Sequence, residues 1–539
     1  MTNYFLLVIL QVITKYTVVH CIKYNKNEIT KRSSINKECS FINELLQKDT
    51  SYDCCSLSGI TCSNNHIIEI ILSKNNIERT FPSSFGSMPY LEYLDLSNNK
   101  LKGNIPSSFD NLNNLQTLDL SGNNLEHYIP SSISSLSKLE YLYLEKNNIE
   151  GNIPSSIGDL SKLKAMYIYE NKLEGNIPSS IGKLNQLNEL YLDNNNLEGS
   201  INSAIGDLSN LTHINLSNNK FNNDIPESIG NLIKLKYIDL SKNKLSGKIP
   251  SSFGNLINLE YMYLEENELN GDIPSSLSRL SKLKYLDLDN NNLDGNIPSS
   301  IGNLTQLKEL YLNNNYLNGT LPKSISSLEN LEYMDLGFNK FEGTYFTFIE
   351  TLEKLEYMYI DNNNFKDFIQ PSIKNLTQLN YINLSNNMFY GEIPTKELEN
   401  LKKINKINLE NNSGLYGKIP NIQYLIINES YECKFTSTKI CSTKDEVNSN
   451  CKYSGYQCDS CIENASIVDE ICQCNSGYSG VGYILCKEGD DDSFISDTID
   501  DDNLNIENDK INIGSRTATN YFFINIIIIL ISFCFLFHI

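Results

Sequence analysis

The sequence predicts an α/β repeat solenoid, a stack of short coils that share one parallel sheet. Three observations predict it. The pattern Leu91-x-x-Leu94-x-Leu96-x-x-Asn99-x-Leu101 recurs every 24 residues, its register holds from Ile67 to Leu379, and fifteen copies align. Within each copy the Leu-x-Leu alternation sends apolar side chains to one face of a short strand and polar ones to the other. Cys is confined to the flanks, with 370 residues between Cys62 and Cys433 that contain none. One coil cannot bury its own apolar face, so neighbouring coils supply the core and the array grows in one dimension.

Each part of the unit has a physical reason. The Asn that follows the strand (Asn75, Asn99, Asn123 and onward) carries an amide that can satisfy backbone groups of adjacent coils inside the turn. In Gly151 to Leu163, Ile157 and Leu160 are the convex-side core positions, and Pro154 favours an extended approach to that turn. A fifteenth copy arrives one residue late (Ile404, Ile407, Leu409, Asn412, Leu415), and Ile422, Leu425 and Ile427 are expected to form a closing strand.

The segment Leu-x-Gly-x-Ile-Pro recurs, for example at Leu101 to Pro106, Leu245 to Pro250 and Leu293 to Pro298. It resembles the plant-type leucine-rich repeats of receptor-like proteins, receptor kinases and polygalacturonase inhibitors. The resemblance implies a right-handed horseshoe with the parallel sheet on its concave face. It extends to Asp53-Cys54-Cys55-Ser56-Leu57-Ser58-Gly59-Ile60-Thr61-Cys62, which is similar to that family's N-terminal cap with Leu57 in place of the usual Trp. In the family such a cap pairs Cys39 with Cys54 and Cys55 with Cys62. No steroid-binding island interrupts the repeats, and no kinase motif is present. Gly343-Thr344-Tyr345-Phe346-Thr347-Phe348 and Asp367-Phe368-Ile369-Gln370-Pro371 depart from the motif, either as packing variation or as a lateral partner site.

After the repeats, Cys433 and Cys441 are expected to pair as a C-terminal cap. The run Cys451, Cys458, Cys461, Cys472, Cys474, Cys486 contains Cys472-Gln473-Cys474-Asn475-Ser476-Gly477-Tyr478-Ser479-Gly480, which resembles the second half of an EGF-like module. That family's pairing would join Cys451 to Cys461, Cys458 to Cys472 and Cys474 to Cys486. Spacing alone leaves the other connectivities open.

The ends place the chain in the secretory pathway, at the cell surface. Phe5 to Ile13 is a short apolar core that reads as a signal peptide. Tyr521 to Ile539 is almost wholly apolar and about the length of a bilayer span, so it is expected to be a membrane anchor or a signal exchanged for a lipid anchor. The expected organisation is therefore 1–21 signal peptide, 22–66 N-terminal cap, 67–428 repeats, 429–450 C-terminal cap, 451–486 EGF-like module, 487–520 acidic stalk and 521–539 anchor. Sequons at Asn210, Asn303, Asn318, Asn375, Asn428 and Asn464 are candidate glycosylation sites. Three further sequons are at Asn215, Asn383 and Asn411, the first two on the concave face.

A formal charge of −21 without a clustered basic patch excludes nucleic acid as a partner. Five scattered His and no paired Cys-x-x-Cys leave no raw material for zinc or a His-based triad, and no cofactor or metal is expected. Asp95 and Asp119 occupy equivalent places on adjacent strands, a spacing that a retaining glycosidase pair could use. An open face that excludes no water argues against catalysis, and no enzyme is expected.

Tyr is concentrated on the solvent side of the strands, where it takes fourteen of thirty places beside the second Leu. Tyr suits a pleated surface and stacked Tyr stabilise one another, which is a sufficient structural reason. The functional reading is a set of amphipathic faces for a sugar ring or a peptide side chain. The candidate ligand-binding residues are Tyr237, Tyr261, Tyr263, Tyr285, Asp287, Tyr311, Tyr333, Tyr357 and Tyr359. Asp193, Asp239, Asp289, Asp335, Asp361, Glu145 and Glu265 stand beside them. This combination suits hydroxyl-rich glycans or basic peptides. Glycans on Asn215 and Asn383 would confine binding to the stretch between them. The expected function is noncatalytic recognition or adhesion of an extracellular glycan or protein ligand, with a separate signalling partner for any signal. The alternatives are an inhibitor of wall-degrading enzymes and a structural wall protein.

Overall fold

Leu and Ile at 24-residue spacing build coils that share one continuous core, which a single unit shows completely: Leu235, Ile238, Leu240, Leu245, Ile249, Phe253 and Leu256 are all buried. The computed structural model describes residues 38–49, 51–64, 66–82, 88–344, 349, 351–421, 432–442, 451–461, 465–468, 471–476 and 478–488. The signal peptide, the stalk from Gly489 onward, the anchor, Ile422 to Ile427, Tyr345 to Phe348, and the sequons Asn428 and Asn464 lie outside them, while Lys487 and Glu488, expected in the stalk, end a strand.

The coil strands form an eighteen-stranded sheet running from Ile60–Ser63 to Cys451–Tyr453. Its pairings are parallel throughout the repeats and unslipped: Tyr237 pairs with Tyr261 and Tyr261 with Tyr285, while Asp239 pairs with Tyr263 and Tyr263 with Asp287. On the opposite side the described coils from Ser107–Asn111 to Lys323–Ser327 carry a five-residue 3-10 turn, such as Ser251–Asn255, with Pro250 extended immediately before it. Hydroxyls tie these turns together: Ser252 Oγ donates to Glu227 O and Ser276 Oγ to Ser251 O, both at 2.7 Å. The coil that holds one extra residue replaces the 3-10 turn by an α-turn, Thr395–Glu399, because the added residue lets Leu398 N reach Pro394 O four positions back.

The Gly of Leu-x-Gly-x-Ile-Pro is a backbone requirement, with φ between +67° and +87° at Gly175, Gly247, Gly295 and Gly391. Where Gly is missing, His127 and Asn223 hold the same left-handed turn at φ +62° and +63°. Asp367 does not, yet Ile369 keeps the core position and Gln370 is extended where Pro precedes the turn in other coils, before Pro371–Asn375.

The Asn at the end of each strand joins coils from inside. Asn267 Nδ2 donates to Leu240 O, Leu264 O and Glu265 O, and its Oδ1 accepts Leu245 N at 3.0 Å. The same set recurs at Asn99, Asn123, Asn243 and Asn291. Every valence of a buried amide is thereby met.

The N-terminal end is closed by helix Cys39–Leu45, whose Phe41, Ile42 and Leu45 are buried, and by the hairpin Ile60–Ser63 with His66–Ile71. Disulfides Cys39–Cys54 and Cys55–Cys62 hold it. The buried Glu38 carboxylate accepts Ile67 N at 2.7 Å and faces His66 Nδ1 at 2.8 Å.

The C-terminal end corrects two expectations. The solenoid does not stop before Cys433: Glu432–Phe435 pairs with Lys406–Asn408, and Cys451–Tyr453 pairs with Glu432–Phe435. Cys433 and Cys441 therefore sit on different sides of one coil, on the main sheet and on the lateral sheet through Lys439–Ser442, and cannot meet. Each instead bonds to its counterpart on the following coil, Cys433 to Cys451 with Cα atoms 4.5 Å apart and Cys441 to Cys458 at 5.1 Å. This leaves Cys461–Cys472 and Cys474–Cys486. The EGF-like pairing of Cys451 with Cys461 and Cys458 with Cys472 is absent because Cys451 and Cys458 belong to the last coil. After that coil the chain forms a cap of two hairpins, Ala465–Val468 with Ile471–Cys474 and Tyr478–Val481 with Leu485–Glu488. Tyr483 pins it to the solenoid: its hydroxyl accepts Gly417 N at 3.0 Å and donates to Lys439 O at 2.7 Å. Among the described residues the cluster of metal-type ligands Cys39, Cys54 and Cys55 is consumed by disulfides.

Candidate functional site

The solvent side of the main sheet carries three columns of side chains, one residue per coil in each. They are the residue before the strand's central apolar residue (Tyr237, Tyr261, Tyr285, Glu309, Tyr333, Tyr357), the residue after it (Asp239, Tyr263, Asp287, Tyr311, Asp335, Tyr359), and the residue two further on (Ser241, Glu265, Asp289, Asn313, Gly337, Asp361). Parallel register brings a Tyr of the first column beside a Tyr of the second on the next coil.

The rings form a zigzag ladder. Centroid separations are 5.5 Å from Tyr237 to Tyr263, 4.5 Å to Tyr285, 5.3 Å to Tyr311, 4.5 Å to Tyr333, 5.4 Å to Tyr359 and 4.8 Å to Tyr381. These are the offset separations at which aromatic pairs attract. A shorter ladder, Tyr143 to Tyr167 to Tyr191, runs up the second column of the earlier coils at 5.1 and 4.7 Å. Tyr261 and Tyr357 stand beside the long ladder, each within ring contact of one of its members.

All nine candidate ligand-binding residues lie on this face, but not equally accessibly. Tyr237 is 6 % exposed, Tyr263 2 % and Asp287 7 %: Tyr237 lies between His213 and Tyr263, Tyr263 between Tyr237 and Tyr285, and Asp287 in register between Tyr263 and Tyr311. Tyr261, Tyr285, Tyr311, Tyr333, Tyr357 and Tyr359 are half-buried and offer ring edges and hydroxyls. Stacking and presentation are thus shared by the same residues. The expectation that glycans bound the face is not supported at one end: Asn383 is 4 % exposed, with its Oδ1 accepting Ser385 N and Oγ. Of the candidate sequons described, Asn303, Asn318 and Asn375 are exposed, while Asn210 Nδ2 donates to Asn185 O.

The carboxylates were underrated by sequence reasoning. Tyr237 Oη donates to Asp239 and Tyr285 Oη to Asp287 within their own strands, and Tyr311 Oη to Glu309 at 2.8 Å. These bonds favour the charged acids, yet burial overrides them, and Asp239, Asp287 and Glu309 all lie above the ordinary carboxylate range. Burial, reinforced by the Asp239 charge, pushes Glu265 up to about 8, while burial and the Asp119 charge do the same for Glu145. Asp119 is pushed up to about 7 by burial and by Asp95, its register partner. The signal available in the sequence was the 24-residue spacing of acids two places after the strand.

The Leu-x-x-Leu-x-Leu-x-x-Asn coil, the internal Asn ladder and the stacked parallel strands decide the family. The chain is a leucine-rich-repeat protein. The family model of the leucine-rich repeat region matches residues 72–202 and 266–440, and a second leucine-rich-repeat model matches 185–245 and 233–293. Among solved structures it is similar to a TDR receptor, at 34% identity and TM-score 0.64, over 69% of this chain and 64% of that one. It is also similar to the plant peptide hormone receptor RGFR1, solved with RGF2, at 31% identity and TM-score 0.57 over 72% of each chain. The Leptospira interrogans leucine-rich-repeat protein LIC12759 matches at 28% identity and TM-score 0.56, over 72% of this chain and 95% of that one. No curated protein matches the chain. This leucine-rich-repeat chain is an extracellular, cell-surface type of ectodomain, with disulfide-held ends and an aromatic-lined concave face, on a noncatalytic scaffold.

Proposed function

We propose that the protein recognises a peptide or protein ligand on the concave face between Tyr237 and Tyr381. The observation that carries this reading is the continuous Tyr ladder lined by carboxylates on an open sheet face. The rings are held by one another before any ligand arrives, so little side-chain entropy is lost on binding. The likeness to a receptor solved with its peptide hormone supports a peptide over a glycan. The test is binding of the purified chain to peptide, neutral-glycan and wall-degrading-enzyme panels, alongside a variant with Tyr261→Ser and Tyr357→Ser. These two stand beside the ladder and leave its sequence of contacts intact. Selective peptide binding lost in the variant is the expected result. An enzyme hit would favour the inhibitor reading, a glycan hit the adhesive one, and silence a structural role.

We further propose that Tyr521 to Ile539 tethers this ectodomain to the membrane. Release from intact cells by phospholipase C is the result expected of a lipid anchor, and retention that of a spanning tail.

A further inference from the structure

The third column of the concave face contains buried acceptors that nothing in the fold satisfies. Glu145 Oε2, Asp193 Oδ1, Glu265 Oε2, Asp289 Oδ1 and Asn313 Oδ1 are all shielded from solvent and lack a hydrogen-bond donor. All five occupy the same place in their coils, and the last three are on consecutive coils. Glu265 is 8 % exposed, so more than nine-tenths of it is buried. Natural proteins leave few buried polar groups unmet, and three unmet acceptors on consecutive coils, Glu265, Asp289 and Asn313, are a demand for donors from outside. Rotation about the terminal carboxyl torsion, which is broad and two-fold, can turn either oxygen of Glu265 or Asp289 toward the face.

The surroundings define the donor. The three columns of the six coils from Tyr237 to Asp361 contain eight Tyr, seven carboxylates and no Lys, Arg or His. Cations of the chain flank the columns: Lys164 Nζ lies 6.0 Å from the Tyr141 centroid and Lys406 Nζ 5.7 Å from that of Tyr381, and within this stretch Lys284 acts on Tyr261 but is held by Glu260 at 2.7 Å. Glu265 is faced by Asp239 from the preceding coil and by Asp287 and Asp289 from the following one. The nearest cation is Lys242, whose Nζ lies 3.7 Å from Glu266. Among the described residues these carboxylates do not converge closely enough to hold a metal ion, which would need several oxygens around one point. A guanidinium reaches separated acceptors, brings five donors and no acceptor, and stacks on aromatic faces.

We propose that the stretch of the concave face at Glu265 and Asp289, beside the half-buried Tyr285 and Tyr311 of the ladder, is a subsite for an arginine side chain of the ligand. This rests on the concave face being the recognition surface and names the chemistry that it selects. Binding a cation there draws the carboxyls into their charged form, so it releases protons and strengthens as pH rises.

The test measures binding of a short capped peptide of Gly-Arg repeats to the full chain, at about 0.15 M salt to suppress unspecific attraction. Its citrulline counterpart, a neutral isostere, is the comparison. Expected results are at least about tenfold weaker binding of the citrulline peptide and of the Glu265→Gln/Asp289→Asn variant. The same charge change on the convex turns, Asp110→Asn/Asp207→Asn, should leave binding in place. Affinity should rise between about pH 6 and 8.5 with measurable proton release. Equal binding of both peptides by the native chain would overturn the proposal without reliance on any variant. Random peptide display separates the two readings. Selection of neutral or acidic peptides lost only in Tyr261→Ser/Tyr357→Ser would sink the arginine subsite and keep the recognition face. Indifference to both variants would sink both.

Discussion

Two polar ladders run the length of the solenoid a few residues apart, and they treat burial oppositely. In the Asn ladder inside the turn both polar side-chain atoms are partnered: Asn267 alone makes four hydrogen bonds, two to its own coil and two to the preceding one. The column on the concave face two residues before these Asn carries carboxylates at some coils, and there it leaves oxygens of Glu265 and Asp289 buried without donors. The comparison teaches where stability and recognition separate in a repeat protein. A fully satisfied buried amide cements neighbouring coils, whereas an unsatisfied buried acid is a liability that only a partner can discharge.

The largest effect expected is on the satisfied ladder. Asn267→Ala takes the acceptor from Leu245 N and one of two donors from Leu240 O, Leu264 O and Glu265 O, which keep Asn243 Nδ2, Asn291 Nδ2 and Lys242 N, and should cost roughly 3 kcal/mol in denaturant unfolding. A loss near zero would mean that the amide is replaceable by water.

The unsatisfied column should show the reverse sign. Glu265 has a folded pKa of about 8, above its ordinary 4.5, so its contribution is complete below the ordinary value and is lost as pH rises through about 8. Glu265→Gln cannot ionise and should be more stable than the native chain at pH 9 by on the order of 2 kcal/mol, with the gap closing toward pH 5. Parallel pH profiles for the two proteins would break the contrast.

The smallest effect sharpens it at the backbone. In the turn between the two ladders Asn290, Asn314 and Asn362 hold φ near +50°, but Phe338 takes the same place at φ +53° while 44 % exposed. Phe338→Asn should stabilise by about 1 kcal/mol, since Asn tolerates the left-handed region better than a bulky side chain. A melting temperature that falls instead would show that the ring contributes packing that outweighs the strain.

Much of this was legible because the repeat repeats. Leu94, Leu118 and Leu142 enter the core, and Asn99 and Asn123 bridge coils, for reasons contained in one 24-residue unit. The N-terminal cap was readable because Asp53 to Cys62 resembles the family's cap, and that resemblance implied the pairs Cys39–Cys54 and Cys55–Cys62. The C-terminal cysteines were not readable. Cys433 and Cys441 look like a pair only when the chain is assumed to leave the solenoid, and nothing in their spacing says that the coil continues under them. Tyr at alternating sites was visible, but a string of letters does not say whether a ring faces outward or lies against the ring diagonal to it.

The sequence by itself therefore determined the coil, its period, its internal Asn and the two Cys-rich flanks, because each arises from side-chain alternation and from what a single turn must satisfy. Tertiary structure alone decided which Cys meet, which Tyr are covered and which carboxylates are left without donors. Those depend on stacking in register, where a residue's neighbours are 24 positions away rather than next along the chain.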